Sequence, residues 1–177
     1  MKKISVIVLG LLAVVSTASA QTQTPTSPSV VFYAQPSVVV AFPGHFDTAA
    51  GGALALGVAV NRVHSIEVEV ISFRSRDSWL RVTFTPLLAT YKYRVALTDK
   101  LSLKAGASIG TTFEKTNYYW YRESQSAFTA GFVGGVSYAL TDRLSFEANV
   151  DALRLNKTDF TTSGSIAIVA LGLNCRF

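Results

Sequence analysis

The sequence predicts an all-β protein, an eight-stranded antiparallel up-and-down transmembrane β-barrel. Eight segments, most of them about nine residues or longer, alternate large apolar side chains with small or polar ones, as tilted membrane-crossing strands do. Their connections alternate between short turns and generally longer loops. The chain is 49% hydrophobic, yet beyond residue 20 it has no apolar run of the roughly 18 residues that a spanning helix needs. Only helices and closed barrels pair every backbone polar group inside a bilayer, so the composition favours a barrel.

The N-terminus has the three parts of a secretory signal peptide. Lys2 and Lys3 form a positive region, residues 4–15 form an apolar region, and residues 18–20 (Ala-Ser-Ala) form a small-residue cleavage site. The apolar region is too short to cross a membrane as a helix. We therefore expect export, cleavage, and a mature chain that forms one domain. The predicted divisions are a signal peptide, a polar periplasmic leader and the barrel, at residues 1–20, 21–29 and 30–177.

Composition excludes several functional classes. The formal net charge is +5, and its basic residues are scattered rather than clustered, so no nucleic-acid partner is indicated. The single cysteine, Cys175, cannot form an internal disulfide. One cysteine and two separated histidines do not make a metal site. The glycine-rich stretch 131–135 lies within a predicted strand and precedes no helix, so neither a phosphate loop nor a cofactor is implied.

The strands follow one another through connections of two kinds. The predicted strands are residues 30–42, 52–60, 66–75, 80–97, 101–113, 127–140, 144–155 and 163–177. Short turns lie near residues 61–65, 98–100 and 141–143, and the other connections are residues 43–51, 76–79, 114–126 and 156–162. Outer-membrane barrels have short periplasmic turns and long outer loops, which places both chain ends on the periplasmic side. In the last two turns, Asp99 and Asp142 are expected to bond to their own backbone.

The two faces of the strands indicate which side meets lipid. In residues 101–113, Leu, Ile, Ala and Phe alternate with Ser, Gly and one Lys. A soluble lipocalin-like carrier would turn the apolar face inward, but a surface in water would not be mostly Gly, Ala, Ser and Thr. Small residues suit the narrow lumen of eight strands, which side chains fill. We expect an inward network with four charges of each sign: Glu67, Glu69, Glu147, Asp151, Lys92, Arg94, Lys104 and Arg176.

Departures from strict alternation suggest irregularities in three strands. Large apolar residues occupy even-numbered positions at Leu80, Val82 and Phe84 and odd-numbered positions from Leu87. This change predicts a bulge at Pro86. A similar slip is expected after residues 70–71, and an interruption at Pro36. Aromatic residues gather near strand ends, as in the two girdles of membrane barrels. The outer girdle is predicted from Phe42, Phe46, Phe73, Trp79, Phe113, Trp120, Phe128 and Phe160, and the periplasmic one from Tyr91, Tyr93, Tyr138, Phe146 and Phe177.

The end of the chain carries the resemblance to a known family. Val169, Leu171 and Leu173 share their parity with the final Phe177. This pattern is similar to the C-terminal recognition signal of outer-membrane proteins. Residues 30–177 as a whole resemble the small eight-stranded outer-membrane β-barrel proteins, a family that includes outer-membrane protein X, the transmembrane part of outer-membrane protein A and the opacity-type proteins. The resemblance implies the outer membrane of a Gram-negative cell, contact with its lipid and lipopolysaccharide, and recognition of the last strand by the barrel-assembly machinery.

The outer loops offer the strongest indication of function. The longest predicted loop, residues 114–126, contains the cluster Tyr118, Tyr119, Trp120, Tyr121 and Arg122. Such residues anchor recognition surfaces, although they could also extend the outer girdle toward lipid headgroups. Members of the resembled family act as adhesins, resistance factors or structural barrels. We therefore predict a structural or surface-binding, adhesin-like barrel without catalysis, with an extracellular ligand as a further partner.

Two alternatives remain open. His45, Asp77 and Ser78 fall in adjacent outer loops and could form an activated nucleophile, a placement similar to that in the lipid A palmitoyltransferase. That enzyme has an amphipathic N-terminal helix that is missing here. The second alternative is a narrow pore, because the Gly and Ala content of the lumen could leave a thin file of water.

Overall fold

The protein is a closed barrel of eight antiparallel strands in sequential order. The computed structural model describes residues 29–44, 47–77, 80–117, 122–156 and 164–177. The strands are β1 (Val30–Pro43), β2 (Ala49–Val60), β3 (His64–Asp77), β4 (Leu80–Ala96), β5 (Leu101–Asn117), β6 (Arg122–Ala139), β7 (Leu144–Leu155) and β8 (Ser165–Arg176). Each strand pairs with the next, and β8 pairs with β1. The predicted fold class is therefore confirmed.

Alternation of side chains along each strand separates the lumen from the outer surface. In β8, buried and exposed residues alternate from Ser165 to Cys175. Large apolar side chains cover the outside, and Phe132 and Val38 are 74% and 67% exposed. The interpretation as a soluble carrier, which needs the apolar face inside, is wrong. None of the described residues belongs to a helix that is long and apolar enough to cross a membrane.

The short turns depend on local hydrogen bonds and backbone conformation. Thr98 Oγ1 accepts the Leu101 amide at 3.0 Å, and Thr141 Oγ1 accepts the Leu144 amide at the same distance. The threonines therefore make the side-chain bonds that were expected of the neighbouring aspartates. The first turn places Asn61 and Arg62 at φ of 53° and 58°, and the Val63 amide donates to the Val60 carbonyl at 3.1 Å.

The strand register is regular where bulges were predicted. Pro86 lies opposite Thr112 within an unbroken β4–β5 register. The β2–β3 register passes through Ile71 without a slip, and β1 continues through Pro36. The predicted bulges at Pro86 and after residues 70–71 are therefore wrong. Pairing is nevertheless interrupted beside each proline, because β1 has no pair to β8 at residues 35–36 and β4 has none to β3 at residues 85–86. The parity changes because Val82 and Phe84 point into the lumen, where each is at most 3% exposed, whereas Leu87 faces outward.

These inward side chains belong to an apolar core that fills the lumen nearer the long loops. Phe73, predicted in the outer girdle, instead stacks on Phe84 inside the barrel, with ring centroids 5.3 Å apart. The rest of the core is Val39, Ala41, Ala49, Ile71, Val82, Leu88, Ala127, Leu153, Leu155, Ile166, Ile168 and Ala170. The expectation of a lumen lined mainly by small and charged residues holds only for the half nearer the short turns.

The third outer connection is shorter than predicted. β5 runs to Asn117 and β6 starts at Arg122, so residues 114–117 and 122–126 are strand rather than loop. β4, β5 and β6 have 17, 17 and 18 residues, against 12 each for β2, β7 and β8. The three longest strands are neighbours, which makes one side of the barrel taller at its outer end.

Candidate functional site: the charged lumen and the outer sheet

The half of the lumen nearer the short turns contains the predicted charged residues. Six of them are buried: Glu67, Glu69, Lys92, Lys104, Glu147 and Asp151. Arg94 and Arg176 are partly exposed at the barrel opening. They come from β3, β4, β5, β7 and β8, and the alternation of each strand directs them to one interior.

Glu147 is the centre of one cluster. It is fully buried and forms an ion pair with Lys104, and Arg94 Nη2 lies 3.6 Å from its Oε1. Ser137 and Ser145 donate their hydroxyl groups to the same Oε1 at 2.9 and 3.1 Å. Such a buried carboxylate is tolerated only because several donors and cations replace its lost hydration.

Glu67 is the centre of the second cluster. It forms an ion pair with Lys92, and Tyr33 donates its hydroxyl to Glu67 Oε2 at 2.7 Å. Glu69 and Asp151 are buried on either side and interact with the charge of Lys92. The sequence analysis did not predict Tyr33, Ser137 and Ser145 as members of these clusters. Their places in the alternating pattern, which direct their side chains inward, could have identified them.

The lumen is closed in two successive layers. The ion pairs occupy the layer nearer the short turns, and the stacked rings of Phe73 and Phe84 lie beyond them. Between them, Thr90 Oγ1 donates to Ser108 Oγ at 2.9 Å, and the Thr112 and Thr129 hydroxyls are 2.7 Å apart. Side chains therefore fill the interior, as expected for eight strands.

A second feature is a sheet that rises from the outer end of β3, β4, β5 and β6. In β6, residues 122–127 pair with β5 but with no described residue on their other side, and the first bond on that side is donated by the Asn156 amide to the Phe128 carbonyl at 2.9 Å. In β3, residues 74–77 pair with β4, but no described residue of β2 pairs with them. We call residues 74–77, 80–85, 113–117 and 122–128 the outer sheet. The β6 edge that no described residue pairs, residues 122–127, is about 20 Å long along the strand.

The outward face of the outer sheet is cationic. Arg74, Arg81 and Lys115 are exposed. The register places Arg76 opposite Arg81, and Asn117 between Arg81 and Arg122.

The acidic side chains of this sheet that the structure describes lie on its other face. Glu114 is buried at 4% exposure, and Glu123, of the same inward parity, accepts a bond from Gln125 Nε2 at 3.2 Å. The outward face therefore has an unbalanced positive charge.

The predicted contact loop is only partly described. Tyr118, Tyr119, Trp120 and Tyr121 lie outside the described residues, and Arg122 is the first residue of β6 rather than a loop residue. His45 and Ser78 also lie outside the described residues, and Asp77 is the last residue of β3. Within the described ranges, no group of three or more His, Cys, Asp and Glu side chains could hold a metal ion.

The last strand presents its apolar residues outward. Val169, Leu171 and Leu173 are exposed on the outer surface of β8, and Phe177 follows the strand at 75% exposure. This stripe is the part of the chain that resembles an assembly signal.

Comparisons with known proteins agree with this geometry. A model of the outer membrane protein β-barrel domain matches residues 7–177. The fold is similar to Neisserial surface protein A, with a TM-score of 0.70, 14% identity, and coverage of 86% of this chain and 100% of that chain. It is also similar to Ail, the attachment invasion locus protein of Yersinia pestis, in complex with the heparin analogue sucrose octasulfate, with a TM-score of 0.59, 13% identity and coverage of 86% and 100%.

A third similar structure is the N-terminal barrel of Pseudomonas aeruginosa OprF, with a TM-score of 0.52, 14% identity and coverage of 80% of this chain and 96% of that chain. No protein of curated function has a significantly similar sequence. At these identities the solved structures show a common fold alone.

Proposed function

Since the chain belongs to the family of outer membrane protein β-barrel domains, we propose that it is a non-catalytic barrel with a structural and surface-binding, adhesin-like role. Its location is the outer membrane. The observation that carries the proposal is the cationic outward face of the outer sheet, with Arg74, Arg81 and Lys115 exposed. The ligands that suit this face are anionic groups at the cell surface.

The position of the cations along the strands favours phosphate groups of lipopolysaccharide as one ligand. On the outward face of β5, Ile109 and Phe113 are 55% and 46% exposed, and Lys115 follows them directly. On β3, Val70 is exposed before Ser72 and Arg74. Apolar residues that meet lipid are thus followed at once by cations, at the depth where headgroup charges begin.

The free edge and tip of the outer sheet suit an extracellular ligand. Residues 122–127 offer unpaired backbone groups on the β7 side among the described residues, and the adjoining residues 118–121 are Tyr-Tyr-Trp-Tyr. Aromatic residues beside arginine are frequent in binding hot spots. Ail, which has a similar fold, was solved with a sulfated ligand. We propose a sulfated or phosphorylated glycan as the ligand class for this tip.

The remaining parts of the chain have supporting roles in this proposal. Residues 1–20 direct export and are then removed. The apolar outward stripe of β8 and Phe177 are recognised by the barrel-assembly machinery. The ion-pair clusters around Glu67 and Glu147 seal and rigidify the lumen rather than catalyse a reaction.

Lipopolysaccharide binding by the purified barrel tests the cationic face. We expect the triple variant Arg74→Gln, Arg81→Gln, Lys115→Gln to bind lipopolysaccharide roughly tenfold to a hundredfold more weakly, because each cation near an anionic surface contributes about 1 kcal/mol. The matched control is Lys100→Gln, which removes an exposed cation from a turn at the opposite end of the barrel. Unchanged binding by the triple variant, or an equal loss in the control, would contradict the proposal.

Heparin binding tests the tip separately. Replacing residues 118–121 with a short glycine-serine turn should leave the heat-sensitive gel mobility of the folded barrel unchanged and remove binding to heparin. Lipopolysaccharide binding should persist in that variant, because Arg74, Arg81 and Lys115 remain. Full heparin binding without the tip would reject the loop as the contact.

A further inference from the structure

A cavity of about 490 Å³ opens at the short-turn end of the barrel. The turn residues Arg62 and Arg143 lie at its rim, and Tyr33, Lys104 and Asn174 line it further inside the barrel. Its volume lies in the range of small-molecule sites. The Glu67 and Glu147 clusters and the apolar core lie beyond it, so it is a one-ended vestibule that faces the periplasm.

The charges that line the vestibule do not balance. Five cations line it: Arg62, Arg94, Lys104, Arg143 and Arg176. The anions are Asp142 in the lining and Glu147 behind Lys104. Glu147 is already paired with Lys104 and Arg94. Among the described residues, Arg62, Arg143 and Arg176 have no carboxylate within 4.0 Å.

Asp99, in the β4–β5 turn at the same end, is exposed and does not line the cavity. Residues 1–28, which precede β1 here, contain no aspartate or glutamate. Each of the other segments outside the described residues (45–46, 78–79, 118–121 and 157–163) connects two strands at the opposite end of the barrel. Among the described residues, the lining of the vestibule therefore carries more positive than negative charge.

Two further features indicate a binding site. Arg176 is partly buried, is attracted by the charge of Glu147 and is repelled by the charges of Arg94 and Arg62, a repulsion that a bound anion would relieve. Arg62 occupies a turn position with φ of 58°. Asn61 also has a positive φ, as both central residues of this tight turn require, and the turn places Arg62 at the rim of the vestibule.

We propose that this vestibule is a periplasmic binding site for a phosphate-type anion. Guanidinium groups bind phosphate through paired N–H donors, and Arg62, Arg143 and Arg176 offer such donors around one opening. The phosphate group belongs either to a small periplasmic solute or to the headgroup of an inner-leaflet phospholipid. The anion does not cross the barrel, because the ion pairs and the apolar core close the lumen beyond the site.

Titration of the full-length, folded barrel in phospholipid-free detergent with inorganic pyrophosphate tests the solute source. Native mass spectrometry after transfer to phosphatidylcholine nanodiscs with 10% phosphatidylglycerol tests the lipid source, by counting the retained anionic lipid. The variants are Arg62→Gln with Arg143→Gln, both exposed and safe for folding, and separately Arg176→Gln. The matched control is Lys100→Gln, an exposed cation in another turn at the same end that does not line the cavity.

We expect one of the two probes to bind the wild-type barrel and to bind each variant at least about tenfold more weakly, since each lost charge-assisted bond has that effect. The control should bind as the wild type does. Pyrophosphate binding would identify a solute site, and retained phosphatidylglycerol alone would identify a headgroup site. Binding of neither probe, or an equal loss in Lys100→Gln, would overturn the proposal.

Discussion

Removal of the Glu147 carboxylate is the sharpest test of how the lumen is held together. The side chain is fully buried, pairs with Lys104, lies 3.6 Å from Arg94 Nη2, and accepts two serine hydroxyls. In Glu147→Ala, the Lys104 ammonium would stay buried at 7% exposure without its counter-charge. Loss of one partner of a buried ion pair costs about 3–5 kcal/mol, so we expect the free energy of unfolding to fall by that amount.

A double-mutant cycle separates the ion pair from other effects of the substitution. Glu147→Leu with Lys104→Met replaces both charges with apolar groups of similar size, and such exchanges are often close to neutral. Arg94 is near the opening, with 20% of its side chain exposed, and can turn to water. We expect the double variant to lie within about 1 kcal/mol of the wild type, with a coupling energy of at least about 3 kcal/mol, because each single variant leaves one charge buried without its partner.

The assay is reversible urea unfolding of the barrel in lipid vesicles, followed by tryptophan fluorescence. The matched control is Glu123→Ala, a partly exposed carboxylate near the outer end, which should change the free energy of unfolding by less than about 0.5 kcal/mol. A loss below 1 kcal/mol for Glu147→Ala, or strictly additive effects of Glu147→Leu and Lys104→Met, would refute the reasoning.

Three other predictions follow from single residues. Phe84→Ala removes a buried ring that stacks on Phe73 and should cost about 3–5 kcal/mol in the same unfolding assay; a loss under 1 kcal/mol would mean that the core is not packed as described. Arg62→Gly relieves a positive φ and should stabilise the barrel by up to about 1 kcal/mol, while destabilisation would show that the arginine side chain contributes more than its backbone costs. Phe177→Ser should lower the amount of folded barrel in isolated outer membranes but leave the unfolding free energy of the purified protein nearly unchanged, because the side chain is 75% exposed; normal membrane levels would argue against an assembly signal.

The sequence predicts the barrel well because period-two alternation and turn spacing are local signals. Large apolar residues such as Phe132 and Val136 alternate with Gly131 and Gly135 along β6, and the structure exposes the first pair on the outside. Short turns are marked by Thr-Asp pairs, although the bond that closes them comes from the threonine.

The apolar core could not be predicted from the sequence, because large apolar side chains are favoured both at lipid-facing positions and inside a packed lumen. Val82 and Phe84 look like lipid-facing residues, so their parity suggested a bulge at Pro86 instead of an inward position. The length of β5 and β6 was also hidden, since Glu114 and Gln125 are polar whether they lie in a loop or in a strand beyond the lipid. The cationic face of the outer sheet depends on the register of four strands, which no local pattern reports.

The closed lumen can be tested most directly by single-channel recording in planar bilayers, at neutral pH and high salt. The ion pairs of Lys92 and Lys104 and the stacked rings of Phe73 and Phe84 obstruct the lumen in series. We predict a flat current trace for the wild-type barrel over the full range of applied voltage. Reproducible conductance steps from the folded, purified protein would contradict a sealed lumen and would make a narrow pore the better account of its function.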